Sequence, residues 1–202
     1  MEIQGQILET TEFAKQMDNI IKETKPNVIV EIGTWKGLGS TKRILDSISN
    51  VGYFYSPKFI SLESNLNFYN IAKNNLVHHL DKVDLINGRI IEFDDYVKYV
   101  ESLNLSGEHV VWMNNDLNDY KVCDYVYSSM PETIDFLLLD GGEFSTYLEW
   151  ELLRERTTIV ALDDTKMEKT KRIVSELTSD DNYKLLSTSD ERHGFHIFER
   201  IS

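Results

Sequence analysis

The sequence predicts an α/β fold, a mainly parallel sheet covered by helices, and three observations predict it. The runs at 28–32, 134–139 and 157–162 are mostly apolar and rich in Val, Ile and Leu, the pattern of strands buried on both faces. Segments of helical spacing lie between such runs, as at 65–76 and 165–177. Each run also stops at a glycine or a carboxylate, Gly33, Asp140 or Asp163, and a helical pattern follows.

The chain's 202 residues read as one domain, 1–202. A core of this size removes about 70% of the unfolded chain's surface from water. Glycine and proline are sparse, no segment is of low complexity and no repeat is present. Thirty-four acidic residues against 21 basic ones give a net charge of -13, which repels phosphate backbones and anionic membranes and favours a small-molecule partner over a nucleic acid. The single Cys123 forms no internal disulfide and is expected to pack as a small apolar residue. The first residues form neither a basic nor an apolar leader, and the apolar runs are far shorter than a membrane span, so a cytoplasmic protein is expected.

Residues 1–26 contain an N-terminal helix, with Leu8, Phe13, Met17, Ile20 and Ile21 near helical spacing and Thr10 or Thr11 as its cap. Pro26-Asn27 ends it, and a strand begins at Val28. Gly33, Gly37 and Gly39 then form a turn before helical spacing resumes at Ser40. Such a turn brings backbone close to a nucleotide-like or carboxylate-bearing ligand. The order is Glu31-x-Gly33-x-x-x-Gly37, not the G-x-G-x-x-G of dinucleotide sites. It resembles the first motif of the class I S-adenosylmethionine-dependent methyltransferases. The resemblance implies that Gly33, Thr34, Trp35, Gly37 and Ser40 bind the cofactor and that Glu31 helps hold its ammonium, directly or through water.

A loop with exposed aromatics follows at 52–57. The next strand, 58–63, ends in Glu63, where open α/β sheets place a carboxylate that accepts ribose hydroxyls. That position suits NAD nearly as well as S-adenosylmethionine, so it indicates an adenosine-type ligand. Ser64 is grouped with it in cofactor binding, and Ser64-Asn65 is alternatively the cap of the next helix. A third strand covers 83–88. Related methyltransferases often carry Gly-Asp there, near the adenine amino group; this chain has Asn87-Gly88-Arg89, which leaves the Asn87 amide as the adenine contact. An amphipathic helix over 90–105 keeps Glu92, Asp94 and Asp95 near its N-terminus.

Residues 106–133 are the least legible. Val110–Met113 reads as a short strand, and the remainder is rich in turn formers. The segment is either a lid or substrate-selecting insertion, or an irregular surface excursion. The next two strands aim Asp140, Asp163 and Asp164 at the same edge as Glu31 and Glu63, the ligand crevice of such sheets.

The order of these pieces, over 25–200, resembles the metal-dependent small-molecule O-methyltransferases of the catechol, caffeoyl-CoA and macrocin type. That likeness implies a Rossmann-like three-layer α/β/α sandwich whose sheet has seven strands and an antiparallel last strand. It also implies that Asp140, Asp163 and Asp164 bind Mg2+, with Asp140 also at the cofactor. The chain departs from the pattern at Asp164, where Asn is usual, and at Gly141-Gly142-Glu143-Phe144. Three converging carboxylates repel one another unless a cation or a substrate amine lies between them. Hard oxygen ligands suit Mg2+ or Ca2+. Alternatively, Asp163 or Asp164 caps a helix starting near Thr165.

That helix places Met167, Thr170, Ile173, Val174 and Leu177 inward and Lys166, Lys169, Lys171 and Arg172 outward, a solvated face or a partner for an acidic group on the substrate. Two strands, at 183–187 and 194–200, close the chain. The histidines show no metal spacing, and His193 and His196 are read as structural. The functional expectation is methyl transfer from S-adenosylmethionine to a hydroxyl of a small molecule, with Mg2+ assisting or with Asp140 or Asp163 as base. Its rivals are an NAD or nucleotide-sugar enzyme and a non-catalytic binding module. A homodimer is compatible with either.

Overall fold

The computed structural model describes residues 7–202; residues 1–6, on which the reading of the N-terminus rested, lie outside them. Helix α1 (Glu12–Thr24) starts where Thr11 Oγ1 accepts from the Ala14 N–H and ends at Lys25, which turns left-handed at φ 47°. Its apolar stripe, Phe13, Met17, Ile20 and Ile21, packs inward, and Phe13 stacks on Phe195 with centroids 4.7 Å apart. The core strand β1 (Val28–Ile32) leads through the glycine turn into α2 (Ser40–Val51). Then follow β2 (Lys58–Glu63), α3 (Leu66–Asn75), β3 (Asp84–Arg89), α4 (Phe93–Ser102) and α5 (Glu108–Val122). After them come β4 (Asp124–Tyr125), β5 (Ile134–Leu139), α6 (Thr146–Leu153), β6 (Thr157–Asp163), α7 (Glu168–Thr178), β7 (Tyr183–Ser189) and β8 (Phe195–Arg200).

The sheet order is β4-β3-β2-β1-β5-β6-β8-β7. Strands β1 to β6 pair in parallel, and β8, inserted between β6 and β7, runs antiparallel to both. The last strand is therefore reversed as expected, but among the described residues the sheet has eight strands, not seven. The additional one, β4, pairs only Gly88 with Asp124 and Arg89 with Tyr125, too short a stretch to show a period.

Alternation along the central strands divides the core. Ile29, Phe136 and Leu138 face α1 and α2, where they meet Ile21, Ile44 and Phe13. Val30, Leu137 and Leu139 face the other layer, with Trp150, Leu153 and Ile173. A third cluster, Ile91, Tyr96, Val100, Tyr120 and Phe144, ties α4 and α5 to the edge that carries the site.

The expected strand at Val110–Met113 is instead part of α5. Val111 is 58% exposed and Trp112 42%, while Met113 packs partly buried against the third cluster, so the run lacks the burial of a core strand. Tyr120 is the one fully buried residue of α5, and Met113 and Leu117 pack partly buried against the same cluster, a short i, i+4, i+7 stripe that the outward Val111 and Trp112 obscure. The other aromatic loop behaves as expected, with Tyr53 and Phe54 almost fully exposed, and Cys123 is buried. Among the described residues no helix is long and apolar enough to cross a membrane.

Candidate active site

Strand order reverses between β1, which is followed on one side by β2 and β3, and β5, which leads to β6 on the other. The crevice beyond their carboxyl ends is the natural ligand position. A cleft of about 280 Å³ lies there. Gly33, at φ 103°, shapes its floor: a Cβ on it would stand 2.2 Å from the Asp140 carbonyl oxygen, so glycine is needed for β1 and β5 to close together. The turn's amides are engaged inside the protein. Gly33 and Thr34 donate to the Leu62 carbonyl, at 3.0 and 3.1 Å, and Trp35 donates to Glu63 Oε2 at 2.6 Å.

Glu63 lines the cleft with its two oxygens anchored, since Asn65 N–H donates to Oε1 at 2.8 Å. Burial raises its carboxyl to about 7. Asn65 also caps α3 by accepting from Phe68 N–H. Trp35 and Ser64 line the cleft as well. Glu31 does not. It is fully buried behind the turn, where its Oε2 accepts from Ser61 and Thr41 at 2.6 and 2.7 Å. Thr34 shares a hydrogen bond with the same Ser61, and Ser40 is buried beside them. Burial lifts Glu31 to about 7, against the pull of the Ser40, Ser61 and Thr41 hydroxyls. Gly37 packs on Leu76 and Ala72. Asn87 also stays out of the cleft, donating to the carbonyls of Glu63 and Ser64 at 2.8 and 3.1 Å. Its neighbours Gly88, Arg89 and Ile90 supply the lining there.

The rest of the wall comes from residues the sequence did not single out. Asp116, Asp119 and Tyr120 of α5 face the cleft, and Asp119 accepts from the Asn65 amide at 3.0 Å. Their spacing of i, i+3 and i+4 is a helix face, a signal lost when 110–113 is read as strand. Glu149, a buried acid on α6, accepts from Tyr120 Oη at 2.7 Å and keeps Oε2 without a partner among the described residues. Five carboxylates thus line the cleft, Glu63, Asp116, Asp119, Asp140 and Glu149, with Arg89 the one cation among the lining residues. Burial first, and then acidic neighbours, raise Asp116 to about 6 and Glu149 to about 7. Such a cleft favours a cationic ligand and repels a pyrophosphate.

Beside this cleft lies a second cavity of about 390 Å³, walled by Tyr99, Leu105, Phe144 and Tyr147 and by the polar His109, Glu143, Glu168, Lys169 and Arg172. The three aspartates converge near Lys169: oxygens of Asp140, Asp163 and Asp164 all lie within 4.8 Å of one another. Neither Asp163 nor Asp164 caps a helix. Asp164 is left-handed at φ 54°, and α7 begins only at Glu168, after Met167 at the cap position.

The cluster already contains cations. Lys169, expected to point outward, is 7% exposed, and its Nζ lies 3.1 Å from Asp140 Oδ1 and 2.9 Å from Asp164 Oδ2. Arg192 Nη1 lies 3.4 Å from Asp163 Oδ2. Burial alone would favour loss of the Lys169 proton, but Asp140 and Asp164 outweigh it and hold the ammonium above its ordinary range. Asp140 and Asp163 remain raised, mainly by burial, Asp163 to about 7. Mg2+ needs these oxygens at about 2.1 Å. An ammonium bonded to two of the three lies within this cluster, so a divalent ion would have to displace it or share the carboxylates with it.

No protein-family model and no curated protein sequence matches the chain. Solved structures do. A methyltransferase from Geobacter sulfurreducens superposes with a TM-score of 0.61 at 11% identity, over 97% of this chain and 82% of that one. An O-methyltransferase from Bacillus cereus, in complex with S-adenosylhomocysteine, gives 0.59 at 11% identity, over 93% and 80%. The chain has the class I methyltransferase fold. The O-methyltransferase TomG from Streptomyces achromogenes, in complex with S-adenosylmethionine, shares it with a TM-score of 0.59 at 11% identity, over 94% of this chain and 79% of that one. The likeness lies in the fold, and the side chains of the crevice are this chain's own.

Proposed function

We propose that the chain transfers a methyl group from S-adenosylmethionine to a hydroxyl of a small molecule, without a metal ion. The observation that carries this reading is the acid-lined cleft at the carboxyl ends of β1, β2 and β5, where Glu63 is fixed by two backbone amides. Glu63 retains lone pairs for the two hydroxyls of a ribose. Asp116, Asp119, Asp140 and Glu149 complement a ligand that carries an ammonium and a sulfonium. Glu31 acts from behind, through Ser61, Thr41 and Thr34, to hold the glycine turn in shape. NAD fits less well, because its pyrophosphate would face these carboxylates and the amides of Gly33, Thr34 and Trp35 are already bonded.

The bound cofactor supplies an activated methyl group, and the protein's task is alignment and removal of one proton. The neighbouring aromatic cavity suits the acceptor, because Asp140 lines the donor cleft while its ion-pair partner Lys169 lines the cavity. The complexes of the Bacillus and Streptomyces proteins with S-adenosylhomocysteine and S-adenosylmethionine support the choice of cofactor. The net charge of -13 supports a small acceptor rather than a nucleic acid.

Titration calorimetry tests the reading. S-adenosylhomocysteine is expected to bind with micromolar or tighter affinity in the presence of a chelator, and NAD is expected not to compete. Binding of NAD alone, or of neither ligand to the folded protein, would replace methyl transfer with the other-ligand or non-catalytic reading.

A further inference from the structure

Lys169 is the one buried lysine among the described residues. It lies in the first turn of α7, where its charge opposes the burial that raises the Glu143 carboxyl. Two of its three ammonium protons serve Asp140 and Asp164, at 3.1 and 2.9 Å. Among the described residues the third has only the Gly141 carbonyl at 3.5 Å, a weak contact that an incoming oxygen can replace. Lys169 also lines the cavity walled by Tyr99, Phe144 and Tyr147, which suits a flat aromatic ring. A fixed cation at that place can do for an acceptor oxygen what a metal does, because it attracts the negative charge that develops there.

We propose that Lys169 stands in for a divalent ion: it keeps metal out of the Asp140–Asp163–Asp164 cluster and offers its remaining N–H to the hydroxyl of a phenol-like acceptor. The second half rests on methyl transfer as the reaction. The acceptor's O–H gives its proton to the Glu143 carboxylate, which lines the same cavity. Its oxygen forms a bond to the methyl carbon as the carbon–sulfur bond breaks, and that electron pair stays on sulfur. Lys169 remains protonated throughout, and Glu143 returns the proton to solvent.

Two measurements decide the proposal. In the first, MnCl2 is titrated into the wild type, Lys169→Met and the double variant Asp164→Asn/Lys169→Ala, and the free ion is followed by electron paramagnetic resonance. The double variant removes one carboxylate along with the cation, which keeps the test valid if Lys169→Met is too unstable to purify. The wild type is expected not to bind Mn2+, and the variants are expected to gain a site at least ~10-fold tighter. Wild-type binding as tight as that of the variants would overturn the exclusion of metal.

In the second, release of S-adenosylhomocysteine from S-adenosylmethionine is followed with a panel of phenols in EDTA. The wild type is expected to turn over, and Lys169→Met to lose about 100-fold in kcat with unchanged affinity for S-adenosylhomocysteine. A wild type that requires Mg2+, a Lys169→Met variant of undiminished kcat, or a wild type that binds S-adenosylhomocysteine but methylates no phenol would overturn the acceptor role. Failure of S-adenosylhomocysteine to bind at all overturns methyl transfer itself, and the Mn2+ titration still decides what Lys169 excludes.

Discussion

The two halves of the crevice begin alike and end differently. On the β1–β2 side, Glu63 stands at a strand end and among the described residues is met only by backbone amides, so its charge stays available to a ligand. On the β5–β6 side, Asp140, Asp163 and Asp164 also stand at strand ends, but Lys169 and Arg192 reach in and neutralise most of their charge. The source of the compensation indicates what each half receives. Carboxylates left without an internal cation await a positive ligand, whereas carboxylates already paired present a cation to whatever comes next.

The largest effect is expected on the paired side. Removing the Lys169 charge leaves buried aspartates uncompensated, a loss of about 3–5 kcal/mol for a broken buried pair. Chemical denaturation of Lys169→Met at neutral pH measures it, and a loss under about 1 kcal/mol would show that the pair is dispensable to the fold. Gly33→Ala is expected to come next, because the Cβ would meet the Asp140 carbonyl at 2.2 Å on a backbone at φ 103°. Unfolding should show a loss of at least about 1–3 kcal/mol, with weakened S-adenosylhomocysteine binding.

On the open side, Glu63→Gln is expected to weaken S-adenosylhomocysteine by roughly 10- to 100-fold, because the amide can accept from only one of Trp35 and Asn65 and meets the other with its own N–H. Circular dichroism should remain native. Unchanged calorimetric affinity would remove Glu63 from ribose recognition and erase the contrast between the two halves.

Much of this architecture could be read in the chain. The strands at 28–32, 134–139 and 157–163 announce themselves because both their faces are buried. The carboxyl ends of the last two locate the three aspartates, and that of the strand at 58–63 locates Glu63. Helix α5 was hidden because its inward stripe, Met113, Leu117 and Tyr120, is short and only partly buried, while the adjacent Val111 and Trp112 point outward and obscure it. Lys169 was hidden for a different reason. Periodicity describes the flank of α7 that packs on the sheet, where Thr170, Ile173 and Leu177 are buried, but Lys169 lies at the helix end that overlooks the crevice.

The smallest effect expected is a graded one with pH. Glu31, Glu63 and Glu149 sit near 7 in the folded chain against an ordinary 4.5, chiefly through burial. The folded state therefore holds protons that the unfolded state has lost between those values. Stability of the unliganded protein should fall as pH rises through that window, by ~1.4 kcal/mol per unit for each group at most, and level off above it. Over the same range S-adenosylmethionine should bind more tightly, because the ionised carboxylates attract its cationic centre. Thermal unfolding at pH 5.5 and 8, with and without S-adenosylmethionine, checks both trends, and opposite slopes would contradict the assigned burial.

The contrast between the halves is tested most directly by a crystal grown with S-adenosylhomocysteine and MnCl2, with anomalous data collected at the manganese edge. The expected result is the ribose on Glu63 and no manganese among Asp140, Asp163 and Asp164, with the Lys169 ammonium still between Asp140 and Asp164. An anomalous peak bonded to those three carboxylates, with Lys169 turned away, would contradict the account.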